Sequence, residues 1–427
     1  MESYPVQRPV SQTFEPKTAN IKDNLSTTRD QWYAVAASTI GWTLDSFDYF
    51  VVVMVLTEIA KEFGRTNAEV ALTITLTLAF RPVGAFLFGL MADRYGRRLP
   101  LMIDVIAFST LSVASGLAPN FTTFLVLRAL FGIAMGGEWG AGASLVMEKV
   151  SPRWRGLLSG ILQQGYTTGN LLASLAYFLI VPRFGWRALF FLGGAPALLA
   201  LFIRSKVKES EVWERTHRKE WIQLWTVIKS NLTTFFYLVL FLTFMGFCGH
   251  GTQDMYPTFL KTQRGFSAQG AAVMTMIANL GALVGGVLVA MISDRAGRRR
   301  SIVCGLGIAI LVIPLWVFSP STAMLALGAF LIQFGVHGAW GVVPAHISEL
   351  VPDQIRGFMP GFAYQCGILL AGTITYLQAL FGSATSYSTA MALTALAVFA
   401  STAVVVSVGP EKRGVVFGVS GSPRSRG

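Results

Sequence analysis

The sequence predicts an all-α membrane protein with twelve transmembrane helices in two six-helix, pseudo-symmetric bundles. Composition, an internal repeat and the placement of basic residues each lead there. The 427-residue chain is 53% hydrophobic and 13% charged, with a mean hydropathy of +0.55. A water-soluble globule carries about 25% charged residues, so this chain falls outside that class. Asp93-Arg94-Tyr95-Gly96-Arg97-Arg98 returns as Asp294-Arg295-Ala296-Gly297-Arg298-Arg299. At the same offset Gly137, Trp139 and Gly140 return as Gly338, Trp340 and Gly341, and Glu148, Arg155 and Gly156 as Glu349, Arg356 and Gly357. Gln164 returns as Gln365. So long a period means two homologous halves, not a solenoid. In an apolar chain it indicates a transporter whose repeated bundles enclose a midplane site.

A span needs about 20 apolar residues. Such windows fall at 32–54, 70–91, 100–118, 121–146, 156–180 and 186–203, then at 231–252, 268–291, 301–319, 322–346, 357–381 and 386–408. The organisation that follows is a polar tail (1–30), a first bundle (31–203), a linker (204–230), a second bundle (231–409) and a second tail (410–427). Both tails read as unstructured. The linker alternates Lys, Arg and Glu with Trp213, Trp221 and Trp225, the pattern of an amphipathic surface helix with its tryptophans at headgroup level. No loop is large enough for a soluble catalytic domain, which excludes most enzymes.

A net charge of +12 raises nucleic acid as a partner. The distribution excludes it. With Met1 cytoplasmic, 26 of the 34 basic residues fall inside, six outside, and Arg81 and Arg128 within spans. This is the positive-inside pattern, which puts both termini in the cytoplasm of a cell's inner (plasma) membrane. Cys248, Cys304 and Cys366 lie in spans without metal-like spacing and read as small buried packing residues.

The Gly89-x3-Asp93-Arg94-x-Gly96-Arg97-Arg98 run sits between the second and third spans. Gly89 and Gly96 permit close helix approach and a tight turn. Asp93 can pair with a cation or face a helix N-terminus, where an anion is favoured by about 0.3–1 kcal/mol. The arginines can pair with Glu148 or Glu349 at neighbouring helix ends. With Arg155, Arg356, Asp294, Arg295, Gly297 and Arg298, these residues form an expected cytoplasmic gate. Ala290 stands where the second copy of Gly89 would be, which implies looser packing there. In these residues the chain resembles the major facilitator superfamily, whose signature loop this is, and the resemblance spans most of residues 30–408. It implies the major facilitator fold. It also implies a proton-coupling role for Arg128, which leads a stripe of small residues at Gly132 and Gly136; an arginine snorkelling to the interface is the alternative.

Ionisable residues inside spans cost about 2.5–3.5 kcal/mol each at a helix centre, so function is their default reading. Asp45 and Asp48 share a helix face. Two carboxylates in low dielectric resist double ionisation, which suits a proton carrier; a structural ion pair with Arg81 is the alternative. Asp104 reads as interfacial. His250, Gln253 and Asp254 lie together on the seventh span, and Pro257 ends regular hydrogen bonding one turn later. The segment resembles the seventh-span signature of lactate and pyruvate permeases in the sialate:proton symporter family, Asn-x-x-Ser/Thr-His-x-Ser/Thr-Gln-Asp-x-x-x-Thr. His250, Thr252, Gln253, Asp254 and Thr258 match; Gly246 and Gly249 depart from it. Leu44-Asp45-x-Phe47-Asp48 and Arg81 are similar to features of bacterial sialate and aromatic-acid symporters.

The expected function is import of a small organic carboxylate with a proton, most simply lactate or pyruvate. Arg81 would hold the carboxylate through two parallel bonds. Thr252, Gln253, His250, Asp254 and Gln164 would complete the substrate site, and Asp45, Asp48 and Arg128 would couple the proton. The partners are the carboxylate, the proton and the bilayer. No cofactor beyond the proton gradient is called for, and a monomer suffices. An aromatic-acid or sialate symporter is the first alternative, and a transporter-like sensor the second.

Overall fold

The computed structural model describes residues 29–215 and 221–418, and these are helical apart from short connections. In the first half α1 (Arg29–Met54) bends by 56° into α2 (Leu56–Phe63). Then come α3 (Asn67–Tyr95), α4 (Arg98–Gly116) and α5 (Phe121–Lys149). The fifth position is broken at Gln164 into α6 (Arg155–Gln163) and α7 (Gly165–Phe184), and the sixth into α8 (Arg187–Leu192) and α9 (Ala197–Lys206). The linker carries α10 (Glu211–Arg215) and α11 (Trp221–Ser230). The second half holds α12 (Leu232–Gln253) with α13 (Tyr256–Thr262), α14 (Ala268–Ala296), α15 (Arg298–Val317) and α16 (Thr322–Leu350). It ends with α17 (Met359–Ala371), α18 (Thr373–Ala384) and α19 (Tyr387–Val408). Among the described helices nine are long and apolar enough to cross a membrane, ten if α1 and α2 count as one bent span. The outer faces carry exposed Phe178, Leu311 and Val408, a surface that apolar surroundings must cover.

Within each half the helices approach backbone to backbone. A Cβ on Gly132 would stand 2.3 Å from the Thr77 carbonyl oxygen, and one on Gly136 would stand 2.0 Å from that of Arg81. The second half repeats the contact between α14 and α16, where a Cβ on Gly281 would meet the Phe330 carbonyl at 2.0 Å. This is the small-residue packing of helices that lack a hydrophobic drive to associate. Gly89 likewise lets α3 approach the Phe358 backbone, 2.8 Å from its would-be Cβ. The expected looseness at Ala290 is absent. Gly156 and Gly160 face it, and their would-be Cβ atoms lie 2.3 and 2.8 Å from Ala290 atoms.

Helix ends follow two rules. Away from the Asp93 and Asp294 loops, four helices start on their own side chains: Thr66, Asn120, Ser267 and Ser386 each accept from a backbone N–H three residues on, as N-caps do. At the end bearing those loops, called the basic end here, carboxylates from other elements cap the helices. Glu209 accepts from the Arg97 and Arg98 N–H groups at 2.9 and 3.1 Å, and Glu411 from that of Arg298 at 2.7 Å. Gly96 and Gly297 turn the chain at φ 100° and 103°, where a side chain is strained.

Two segments depart from expectation. Residues 410–418 do not hang free; they fold against the basic end, with Phe417 buried. In the linker Trp213 donates to the Asp93 carbonyl at 2.8 Å, so it is tied to the gate, while Trp225 packs on Phe86 with ring centroids 6.0 Å apart. Residues 1–28, 216–220 and 419–427 lie outside the described residues, as do the side chains of Trp221 and Arg204. Of the cysteines only Cys248 is buried; Cys304 is exposed.

Candidate functional site

Reciprocal latches close the basic end. Asp93 on α3 reaches the second half, where its carboxylate accepts from the Gly357 and Phe358 N–H groups at 2.8 and 3.0 Å. Asp294 on α14 does the same to Gly156 and Leu157 at 2.8 and 3.2 Å. Each acid thus meets the N–H groups that open a helix of the opposite half, where a negative charge is favoured. Arg97 pairs with Asp93 at 2.5 Å and with Glu148 at 2.8 Å; Arg298 pairs with Asp294 at 2.9 Å and with Glu349 at 3.1 Å. Arg155 then crosses to Glu349 at 3.0 Å and Arg356 to Glu148 at 3.5 Å. Of the arginines in each loop, Arg97 and Arg298 turn inward. Arg94 leans over Tyr95 and Arg295 is exposed.

The docked tail joins this closure. The Arg155 and Arg356 guanidiniums stand 3.8 and 3.6 Å from the centre of the Phe417 ring. Arg155 also donates to the Val415 carbonyl at 2.9 Å.

Deeper in, the aromatic residues of the repeat meet. Tyr364 stacks on Trp139 at 4.3 Å and touches Trp340 at 5.9 Å and Trp42 at 6.4 Å. Trp139 is anchored by donating to Gln163 at 3.2 Å. This floor separates the latches from a cavity of about 330 Å³ between the halves. Arg81, His250, Thr252, Gln253 and Asp254 all line that cavity, with Tyr49, Phe50, Asn279, Gln333 and His337.

Arg81 is 4% exposed and makes no ion pair; its Nε and Nη2 have no hydrogen-bond partner among the described residues. Its guanidinium lies 5.9 Å from the Trp42 ring centre. A buried fork without a protein partner is set for a ligand anion. Opposite it, His250 Nδ1 lies 3.1 Å from Asp254, which also accepts from Thr375 at 2.6 Å. Gln253 reaches Gln333 and His337, both at 3.3 Å. Thr252 is buried and its hydroxyl accepts from Gln333 at 3.0 Å, so it supports the wall of the cavity.

Three expectations are placed differently. Gln164 does not line the cavity: it caps the broken fifth helix and presses on Gly286 of the other half, while Gln163 faces inward. Asp48 and Asp45 divide. Asp48 pairs with Arg128 at 2.8 Å and accepts from the Ser112 hydroxyl, and Arg128, 1% exposed with its guanidinium 3.8 Å from the Phe131 ring centre, does not snorkel. Asp45 takes no part in that pair and makes none with Arg81. Asp104, expected at an interface, is fully buried. Sequence reasoning also passed over Glu138, buried on α5, although its cost inside a span is the signal that singled out Asp45. Gln333 and His337 carried no signal beyond polarity in the tenth span.

The sequence pattern of the Major Facilitator Superfamily matches residues 38–367 and again 255–422. The chain is 31% identical over 387 residues to a probable 4-methylmuconolactone transporter of Cupriavidus pinatubonensis, covering 88% of this chain and 90% of that one. It is 28% identical to the sialic acid transporter NanX of Escherichia coli over 82% of this chain and 88% of that one. Among solved structures it matches the proton:xylose symporter XylE with a TM-score of 0.75 at 19% identity, over 92% of this chain and 98% of that one.

Proposed function

This chain belongs to the major facilitator superfamily, and on that premise we propose that it imports an organic carboxylate together with a proton. The observation that carries the reading is Arg81, a buried cation in the cavity wall without a protein counter-ion. Relatives named for 4-methylmuconolactone and for sialic acid support an organic-acid substrate. The positive-inside expectation assigns the basic end to the cytoplasm, so the closed latches leave the cavity for a substrate arriving from outside. The carboxylate engages Arg81, and Gln253 and His337 orient the rest of it. Rocking of the halves then parts the Asp93 and Asp294 latches and releases substrate inward.

Size and lining bear on which acid. A cavity of about 330 Å³ falls in the range of pockets for ligands larger than a three-carbon acid, ~300–1,000 Å³. Tyr49, Phe50, Tyr166 and Tyr364 give it flat apolar walls, which suit an unsaturated or ring-bearing carboxylate. Lactate or pyruvate is the second reading, favoured by the His250, Gln253 and Asp254 cluster on the opposite wall. Uptake of labelled lactate, pyruvate, benzoate, muconate and sialate into proteoliposomes, with and without a protonophore, tests both readings. Protonophore-sensitive uptake of benzoate or muconate above lactate is expected. Counterflow of none of the five would refute carboxylate transport.

A further inference from the structure

Behind the cavity wall lies a set of acids that neither the latches nor the Asp48–Arg128 pair uses. Asp45 on α1, Asp104 on α4 and Glu138 on α5 are each 1% exposed or less. None of their six carboxylate oxygens has a hydrogen-bond partner among the described residues. Asp104 and Glu138 both lie within Coulombic reach of Asp45.

Glycines have opened space for one of them. Gly41 precedes Asp45 by one turn on α1, and a Cβ there would stand 2.5 Å from Glu138 Oε1. A Cβ on Gly142 would stand 3.3 Å from Ser38 Oγ and 3.5 Å from the same Glu138 oxygen. Ser38 is itself fully buried with an unpartnered hydroxyl. Glu138 and Ser38 are therefore aimed into one small notch walled by glycine, a polar pocket that apolar packing would have filled.

The charges facing this notch are few. Asp48 and Arg128 neutralise each other at 2.8 Å. Arg81, from α3, is within reach of Asp45 and Glu138 but pairs with neither. An unpaired ionised carboxylate in a dry interior costs several kcal/mol, and three together repel one another. With one cation nearby, the group holds protons instead of negative charge.

We infer that Glu138, with Asp45 and Asp104, carries the transported proton, and that Arg81 links its loading to the arrival of substrate. The inference rests on the proton-coupled reading above and names its site. With the cavity empty, the Arg81 charge favours release of a proton from the trio. A substrate carboxylate on Arg81 cancels that charge, so the trio retains its proton and anion and proton travel together. Linkage is reciprocal: substrate tightens proton binding as much as the proton tightens substrate binding.

The test uses the full chain and whichever of the five acids above exchanges fastest. In weakly buffered detergent with a pH indicator, wild type takes up about one proton per bound substrate. Glu138→Gln binds substrate with that uptake lost. In proteoliposomes an inward proton gradient of about one pH unit drives roughly tenfold accumulation of a monoanion; Glu138→Gln and Asp104→Asn equilibrate without accumulating. Gly41→Ala removes no titratable group but fills the notch, and it lowers accumulation while counterflow persists. Counterflow certifies that each variant is folded. If Glu138→Gln fails to fold, the wild-type infrared difference spectrum on substrate addition decides: growth of a protonated-carboxyl band is expected, and its absence overturns the inference. A coupled wild type with an equally coupled Glu138→Gln overturns the inference alone. A wild type without proton uptake overturns the symport reading and this site with it.

Discussion

Replacing Asp93 by Asn should open the basic end, and more so than the matching change at Asp294. Asp93 is buried and holds two N–H groups of the other half at 2.8 and 3.0 Å as well as Arg97 at 2.5 Å. An amide of the same shape accepts on one side only and turns a donor toward the second N–H group. Arg97 keeps Glu148 as a partner, so the net loss is about one to two charge-assisted hydrogen bonds. Each is worth about 1.5–3 kcal/mol, giving a shift of roughly 1.5–6 kcal/mol, or at least about tenfold in the open-to-closed ratio. Asp294 makes bonds of 2.8, 3.2 and 2.9 Å, the last two longer than their Asp93 counterparts, and its side chain is 9% exposed against 1% for Asp93, so Asp294→Asn should fall at or below the low end of that range. The readout is a thiol under the latches. Ser159 is fully buried and donates to the Gly341 carbonyl across the halves at 2.7 Å. Ser159→Cys, with the three native cysteines replaced, reports opening as its maleimide labelling rate. Less than about a threefold acceleration in Asp93→Asn, or a larger effect from Asp294→Asn, would refute the ranking by buried hydrogen bonds.

Arg81→Lys should lose at least about tenfold in substrate affinity despite keeping its charge, because a single ammonium cannot reproduce a two-bond fork; unchanged binding by calorimetry counts against Arg81 as the anchor. Gln253→Ala leaves Gln333 and His337 short of a partner and should weaken binding by about 1–3 kcal/mol. Unequal losses across the five acids would mark Gln253 as a specificity residue, and parallel losses as a structural one. Phe417→Ala removes the ring shared by Arg155 and Arg356, worth about 2 kcal/mol for a desolvated cation–π contact. Ser159→Cys labelling should therefore rise by roughly tenfold or more, and an unchanged rate would mean that the tail rests on the gate without holding it.

Much of the closed end was legible because it is repeated. Asp93 and Asp294, Glu148 and Glu349, and Arg155 and Arg356 recur at one spacing, and each acid has its arginine in the same run. Which arginine turns inward was not legible, since that follows from the backbone turn at Gly96 and Gly297. The docked tail was hidden for another reason. Residues 410–418 have no periodic pattern, and only the closed assembly brings Phe417 beneath Arg155, far away in sequence. The one-residue displacement from Gln164 to Gln163 arises at the helix break between α6 and α7, which no apolar window reveals.

The candidate site lies where the repeat fails. At the repeat offset, Asp45, Asp48, Arg81, Asp104, Arg128 and Glu138 correspond to Gly246, Gly249, Ala282, Gly305, Ala329 and Ala339. Outside the gate, each of these buried charges of the first bundle thus corresponds to a Gly or Ala in the second. The reverse holds for the polar wall, where Gln253, Asp254, Gln333 and His337 correspond to Val52, Val53, Gly132 and Gly136. Rocking requires that both halves present matching latches, so the gate residues are kept in duplicate. Binding an anion and a proton requires a different environment on each side of the cavity, so charge is placed in one bundle and neutral hydrogen-bonding groups mainly in the other. Glu138 was overlooked because the repeat presents its neighbours Gly137, Trp139 and Gly140 as packing, and the mismatch with Ala339 is what marks it. In a chain built from two copies, the positions at which an ionisable residue in one copy meets a small residue in the other are the first places to look for the transported charge.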